Sequence, residues 1–258
     1  MRIPLLAANW KMYKTLHEAT AFVREFSVLV KPLESVEVVL APPFTALAAA
    51  AEVARNTSIG IAAQDLYFER EGAFTGEISA TMIRDAGATH VIVGHSDRRR
   101  LFGDTDEWVN KKARAAVAAE LTPIVCIGET LQEREAGQTL AVLDRQIRAG
   151  LDGFGGDAIG ALVIAYEPVW AIGTGKNATP AEADEAHRHI RGRLRQWFGG
   201  TAADRCRILY GGSVKPDNIR ELSGLPDVDG ALVGGASLDV RSFHEIVTRA
   251  AGSELERP

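Results

Sequence analysis

Three side chains, far apart in the sequence, carry the groups that a carbon-to-carbon proton transfer needs. They are Lys11 in Asn9-Trp10-Lys11, His95 in Gly94-His95-Ser96, and Glu167 in Tyr166-Glu167-Pro168-Val169-Trp170. A carboxylate can take a proton from a carbon beside a carbonyl if the charge that develops on oxygen is stabilised. A neutral imidazole and an ammonium group supply that kind of stabilisation. Tyr166 before Glu167 and Pro168-Val169-Trp170 after it predict an apolar wall. Such a wall desolvates the carboxylate and raises its pKa toward the range of a working general base. A helix starting directly after Gly94-His95-Ser96 would disfavour the cationic form of the histidine.

Two glycine pairs suggest what the substrate carries. Gly211-Gly212-Ser213 and Gly234-Gly235-Ala236-Ser237 each follow an apolar run, and glycine lets backbone N–H groups approach a phosphate. The stretch Pro168-Val169-Trp170-Ala171-Ile172-Gly173-Thr174-Gly175-Lys176-Asn177-Ala178 reads as a lid, with a rigid proline at its entry and glycines inside. Each feature has a bland counterpart. Taken singly, the lysine is a solvated cation, the histidine a bonded core residue, the glutamate a surface carboxylate, the glycine pair a tight turn and the lid an exposed connection. Only their convergence discriminates, so the elements that hold them decide the reading.

Those elements are regular. Short apolar runs lie at 3–8, 36–41, 58–63, 89–93, 122–127, 161–166, 206–210 and 230–233. They are rich in Val, Ile, Leu and Ala without clean alternation, as parallel strands buried on both faces are. Helical composition fills stretches such as 16–29, 107–120, 139–151, 180–197 and 237–251, with Thr179 as a cap and Pro180 at a first helical position. The implied class is α/β, and eight is the number of strands that closes a (β/α)8 barrel at roughly 250 residues. An open doubly wound sheet is the rival. No linker or composition shift divides the chain, so residues 1–251 read as a single barrel domain and 252–258 as a polar tail. A barrel carries its site at the C-terminal ends of its strands. Lys11, His95, Glu167 and both glycine pairs then meet on one rim, with no similar arrangement expected at the other.

Composition narrows the partners. The chain has 258 residues and a formal net charge of -5, which argues against nucleic acid or an anionic membrane. Cys126 and Cys206 each sit in an apolar stretch, as buried thiols of a reducing compartment do. The apolar run before Lys11 is too short for a signal-peptide core or a membrane span, and cytoplasmic is the expected location.

The motifs together resemble one family. Asn9-Trp10-Lys11-Met12, Gly94-His95-Ser96, the segment from Ala165 to Lys176, Tyr210-Gly211-Gly212-Ser213-Val214 and Leu232-Val233-Gly234-Gly235-Ala236-Ser237-Leu238 are similar to triosephosphate isomerase, a TIM-barrel family. So is Gly72-Ala73-Phe74-Thr75-Gly76-Glu77, in that family a protruding dimerisation loop. The resemblance implies interconversion of dihydroxyacetone phosphate and D-glyceraldehyde 3-phosphate through an enediolate, in glycolysis and gluconeogenesis. Glu167 would be the base, His95 the group that polarises the carbonyl and moves protons between oxygens, and Lys11 the cation. Asn9 would line the site, and backbone groups of Gly173, Ser213, Gly234 and Gly235 would hold the phosphate. A homodimer built through Phe74, Thr75, Gly76 and Glu77 is implied, with no metal or organic cofactor.

The chain departs from the family pattern at three positions. Asp97 replaces the usual glutamate near the site lysine, Tyr13 stands where asparagine is frequent, and so does Asp65. The first implies a modest change in rate, and the other two lie near the implied interface. Rival readings are an isomerase of four-carbon ketose phosphates, a non-catalytic barrel, and a barrel synthase or aldolase. The unbroken segment from Glu167 to Lys176, the presence of all three reactive residues, and the lack of a Schiff-base lysine or metal cluster in the sequence disfavour them in turn.

Overall fold

The computed structural model describes residues 2–30, 35–173 and 178–252. The strands are β1 (Leu5–Asn9), β2 (Glu37–Ala41), β3 (Ile59–Ala63), β4 (His90–Val93), β5 (Thr122–Ile127), β6 (Val163–Tyr166), β7 (Arg207–Tyr210) and β8 (Gly230–Val233). The helices of the first half are α1 (Leu16–Val30), α2 (Phe44–Ala54), α3 (Ala80–Asp85), α4 (Ser96–Phe102), α5 (Asp106–Ala118) and α6 (Leu131–Glu135). The second half adds α7 (Thr139–Gly150), α8 (Gly156–Ala161), α9 (Pro180–Phe198), α10 (Gly200–Arg205), α11 (Ile219–Ser223) and α12 (Val240–Gly252). Each strand pairs in parallel with its neighbours in chain order, and β8 pairs with β1, which closes the barrel. The open-sheet alternative is excluded.

Side chains pointing into the barrel form a core of their own. It contains Leu5, Ala7, Val39, Ala41, Ala62, Ile92, Ile124, Cys126, Val163, Ala165, Leu209 and Leu232. Small alanines among branched residues suit the packing of a closed interior. Truncating Ile92 to alanine there would cost about 2–5 kcal/mol, since a barrel core has little room to collapse. The other strand faces pack on the helices. A run of rings, Trp10–Phe22–Phe26–Phe243, joins β1, α1 and α12, with centroids 4.8, 5.6 and 5.1 Å apart.

Local chemistry sets the helix ends. Thr179 accepts from the Glu182 N–H while the Glu182 side chain returns to Thr179, and Pro180 opens α9 as expected. The last helix begins later than its composition suggests, at Val240. Gly235–Ser237 form a 3-10 turn instead, held by the Ser237 hydroxyl on the Val233 and Gly234 carbonyls. Gly252 still belongs to α12, so the tail expected at 252–258 begins inside a helix, and 253–258 lie outside the described residues.

The opposite mouth also carries polar groups. At the first positions of β2, β4 and β7, Glu37 bonds His90 Nε2 at 3.3 Å and pairs with Arg207, while His90 Nδ1 meets Thr89 Oγ1 at 2.8 Å. This cluster was not anticipated, and it differs from the site rim in that one carboxylate holds both the histidine and the cation.

Candidate active site

Lys11 follows β1 in a left-handed backbone conformation (φ 51°), with its N–H donating to Asn9 Oδ1 at 3.1 Å and its carbonyl accepting from Gln64 at 2.9 Å. A non-glycine residue there is uncommon and costs free energy that these bonds offset. Lys11 Nζ lies 2.9 Å from Asp97 Oδ2, so the shorter carboxylate still reaches the lysine. Burial opposes ionisation of Asp97, but the hydrogen bond and charge of Lys11 bring it below its ordinary pKa.

His95 caps α4, and its Nδ1 accepts the Asp97 N–H at 3.0 Å. An accepting Nδ1 carries no proton, so the neutral ring has its hydrogen on Nε2, which lies 3.0 Å from Glu167 Oε1. Glu167, at the end of β6, is 2% exposed. Its carboxylate accepts the Ser96 N–H at 2.9 Å on Oε2 and the Ser96 hydroxyl at 3.3 Å on Oε1. The base and the imidazole are thus side by side, each held by α4.

These groups form one wall of a cavity of about 390 Å³, with Asn9 beside them. Gly173, Ser213, Gly234 and Gly235 line it too, so the residues assigned to phosphate face the reactive trio. A Cβ at Gly212 would come 2.3 Å from the Tyr210 hydroxyl, so any larger residue in this turn would have to displace the buried Tyr210 ring.

The described part of the lid is anchored at its start. Pro168 leads into a 3-10 turn at Val169–Ala171, Ile172 and Gly173 reach the cavity, and Ala178 is buried. Thr174, Gly175, Lys176 and Asn177 lie outside the described residues. Trp170 donates from Nε1 to Glu129 at 2.8 Å, and the Tyr166 hydroxyl donates to the same carboxylate at 3.1 Å. Arg134 pairs with Glu129 at 3.3 Å and covers the Trp170 ring. Burial, reinforced by Glu129, pushes the Tyr166 phenol above its ordinary pKa, which keeps it a donor.

Sequence reading named Ser96 without a role and passed over Gly128 and Glu129. A Cβ on Gly128 would lie 1.7 Å from the Glu167 carbonyl oxygen, so β5 can approach the base's backbone only with glycine there. The signal available was position: Gly128-Glu129 directly follow the fifth strand, where a barrel places functional residues.

Phe74, Thr75, Gly76 and Glu77 are exposed, as are Met12, Tyr13, Phe44, Met82 and Phe102. Asp65 is buried, 2.8 Å from Lys112 and 2.7 Å from Arg98. Burial raises its pKa, and Lys112 opposes the rise. Both cysteines are buried and free. Among the described residues, no helix is long and apolar enough to cross a membrane.

Comparison with known proteins agrees with this geometry. The family model described as triosephosphate isomerase matches residues 4–250. Triosephosphate isomerase of Citrifermentans bemidjiense is 56% identical over 247 residues, covering 96% of this chain and 98% of that protein. That of Moorella thermoacetica is 56% identical over 250 residues, with the same two coverages. Among solved structures, triosephosphate isomerase from Bartonella henselae superposes with a TM-score of 0.87 at 39% identity, covering 96% of this chain and 99% of that one.

Proposed function

Since the chain belongs to the triosephosphate isomerase family and interconverts dihydroxyacetone phosphate and D-glyceraldehyde 3-phosphate, we propose that Glu167, His95 and Lys11 carry that proton transfer. The reaction is an aldose–ketose isomerisation that belongs to glycolysis and gluconeogenesis. Glu167 takes the proton from one substrate carbon and returns it to the neighbouring carbon. His95 Nε2–H faces the oxygens on which enediolate charge develops, and the Asp97 N–H on Nδ1 keeps the ring in the tautomer that donates there. Lys11 adds positive charge on the same side, and Asp97 holds its ammonium in place. Asn9 lines the site, and Gly173, Ser213, Gly234 and Gly235 approach the phosphate with their backbones. Each proton moved has a donor and an acceptor among these groups, and the scheme calls on no metal or organic cofactor.

The observation that carries this reading is the buried Glu167 carboxylate, 3.0 Å from a histidine nitrogen, on the wall of a glycine-lined cavity. The test is a coupled isomerase assay on D-glyceraldehyde 3-phosphate with Glu167→Asp alongside. Fast turnover, with a large loss of kcat in the variant, is expected. No turnover of the three-carbon substrate overturns the assignment and directs the assay to four-carbon ketose phosphates.

The reading extends to assembly and location. Exposed Phe74 on its loop, with Met12, Tyr13, Phe44 and Phe102 also exposed, supports a homodimer, testable by analytical ultracentrifugation. Two free buried thiols support the cytoplasm. Residues 1–251 are read as one folding unit, and a single cooperative unfolding transition is the expected sign of it.

A further inference from the structure

Helix α7 turns one polar side chain into the core. Its buried positions, Val142, Leu143, Gln146, Ile147 and Gly150, follow the spacing of an apolar helix face, and Gln146 stands where another aliphatic residue would fit that pattern. Gln146 is 5% exposed, so its amide has given up water and needs partners inside the protein. It finds an acceptor and a donor on one residue. Gln146 Oε1 accepts the Gly128 N–H at 2.7 Å, and Nε2 donates to the Gly128 carbonyl at 3.2 Å.

Gly128 lies where the chain after β5 meets the base. The Ile127 carbonyl accepts the Glu167 N–H at 2.7 Å, and the Glu129 carbonyl accepts the Val169 N–H at 3.1 Å. Between them Gly128 packs on the Glu167 carbonyl, closely enough that a Cβ would meet its oxygen at 1.7 Å. The Glu129 carboxylate adds its bonds from Tyr166 and Trp170. Residues 127–129 therefore form a backbone rail for 167–170, with the base at one end and the first turn of the lid at the other. A cavity of about 460 Å³, lined in part by Ser96, Gly128, Gln146 and Glu167, lies beside this rail. Packing does not wedge the rail on that side, and the Gln146 amide ties it to α7.

We propose that Gln146 is a positioning residue for the isomerisation, fixing through both backbone groups of Gly128 the rail on which Glu167 stands. The inference rests on Glu167 being the base. Gln146 lies outside the substrate cavity and acts only through Gly128. A base moved by a fraction of an ångström from its near-attack position loses rate steeply. Ser213, Gly234 and Gly235, which line the phosphate end of the cavity, do not stand on this rail. Loss of the brace should therefore fall on kcat and spare KM.

The test is steady-state kinetics on D-glyceraldehyde 3-phosphate, well below the melting temperature, for three variants with their unfolding curves. Gln146→Leu removes both hydrogen bonds and should lower kcat about tenfold or more, with KM within about twofold of wild type. Val142→Ala removes packing from the same face of α7 and leaves those bonds in place, so it should lower stability and keep kcat. Gln146→Glu supplies a carboxyl that matches the amide only while protonated, when it can both accept from and donate to Gly128. Burial, Glu167 and Asp104 favour that neutral form, while Arg99 and Arg145, paired with Asp106, oppose it. Its kcat relative to wild type should fall as pH rises, whereas the Gln146→Leu ratio should stay flat. Wild-type kcat in Gln146→Leu, or an equal loss in Val142→Ala, overturns the proposal. Should Gln146→Leu not fold, a pH-independent ratio in Gln146→Glu overturns it. If Glu167→Asp keeps full activity the base assignment itself fails; if it loses activity while Gln146→Leu does not, only the brace fails.

Discussion

The two mouths of this barrel carry nearly the same set of groups and do different things with them. At the N-terminal mouth Glu37, His90 and Arg207 form a closed set: His90 donates to Glu37, Thr89 bonds the other ring nitrogen, and Arg207 pairs with the same carboxylate. The His90 hydrogen bond, with the Arg207 charge, holds Glu37 down to about 2 against the opposing effect of burial. A carboxylate so stabilised is a poor base. At the C-terminal mouth the cation is diverted, because Lys11 pairs with Asp97 and not with Glu167. Glu167 instead takes hydrogen bonds from Ser96 and the His95 ring, has the buried Cys126 thiol beside it, and faces a cavity. A carboxylate, a histidine and a cation therefore make a structural plug or a reactive site according to where the cation is spent and whether space is left beside the base.

The sharpest way to break this comparison is to remove each carboxylate's charge while keeping its shape. Glu167→Gln should lower kcat by about 10³-fold, the middle of the range for loss of a positioned general base. Its melting temperature should stay close to wild type, since the amide oxygen still accepts the Ser96 N–H while the amide nitrogen donates to the Ser96 hydroxyl. Steady-state kinetics and thermal unfolding of the same preparation check both halves. A loss of stability without loss of rate would place Glu167 with the structural carboxylates instead.

A smaller effect is expected from the diverted cation. Lys11→Met keeps much of the aliphatic stem but removes the charge, and should lower kcat/KM by about 10²-fold, as the loss of one electrostatic stabiliser does. Most of the cost should fall on KM if Lys11 acts chiefly on the phosphate and on kcat if it acts on the developing oxyanion. Asp97 would then lose its partner, and its pKa should rise toward the ordinary carboxylate value, readable by NMR titration.

How much of this was legible depended on the range of the signal. Strands buried on both faces are apolar runs, so 122–127 and 230–233 were readable to the residue and the others nearly so. Helix α9 announced itself through Thr179 and Pro180. Helix α2 is dominated by alanine and shows little contrast between its faces, while α6, α8, α10 and α11 span less than two turns, too short for a period to show. In the site, Lys11, His95 and Glu167 were visible because each is a reactive type at a strand end. Gly128 was not, since its reason is a backbone oxygen of a distant residue. Glu37, His90 and Arg207 also escaped notice, because polar residues opening a strand look like its solvated edge until the barrel closes them on one another.

The mildest test sharpens the comparison most, because it asks whether the N-terminal mouth has any share in catalysis. Glu37→Gln keeps an acceptor for His90 but leaves Arg207 without its counter-charge. The pair is only partly buried, so the cost at neutral pH should be about 1–2 kcal/mol, with kcat unchanged. Its pH dependence has a definite sign. Glu37 falls from an ordinary value of 4.5 to about 2 on folding, so the unfolded chain binds the proton more readily. The stabilisation is complete above about 4.5 and is lost as pH falls through about 2. Paired unfolding curves should show a constant gap between wild type and variant from neutral pH down to that upper value, narrowing below it. A gap that stays constant through the acid range would mean that the glutamate's shape, not its charge, holds this mouth closed, and the two ends would differ less in electrostatics than their geometry implies.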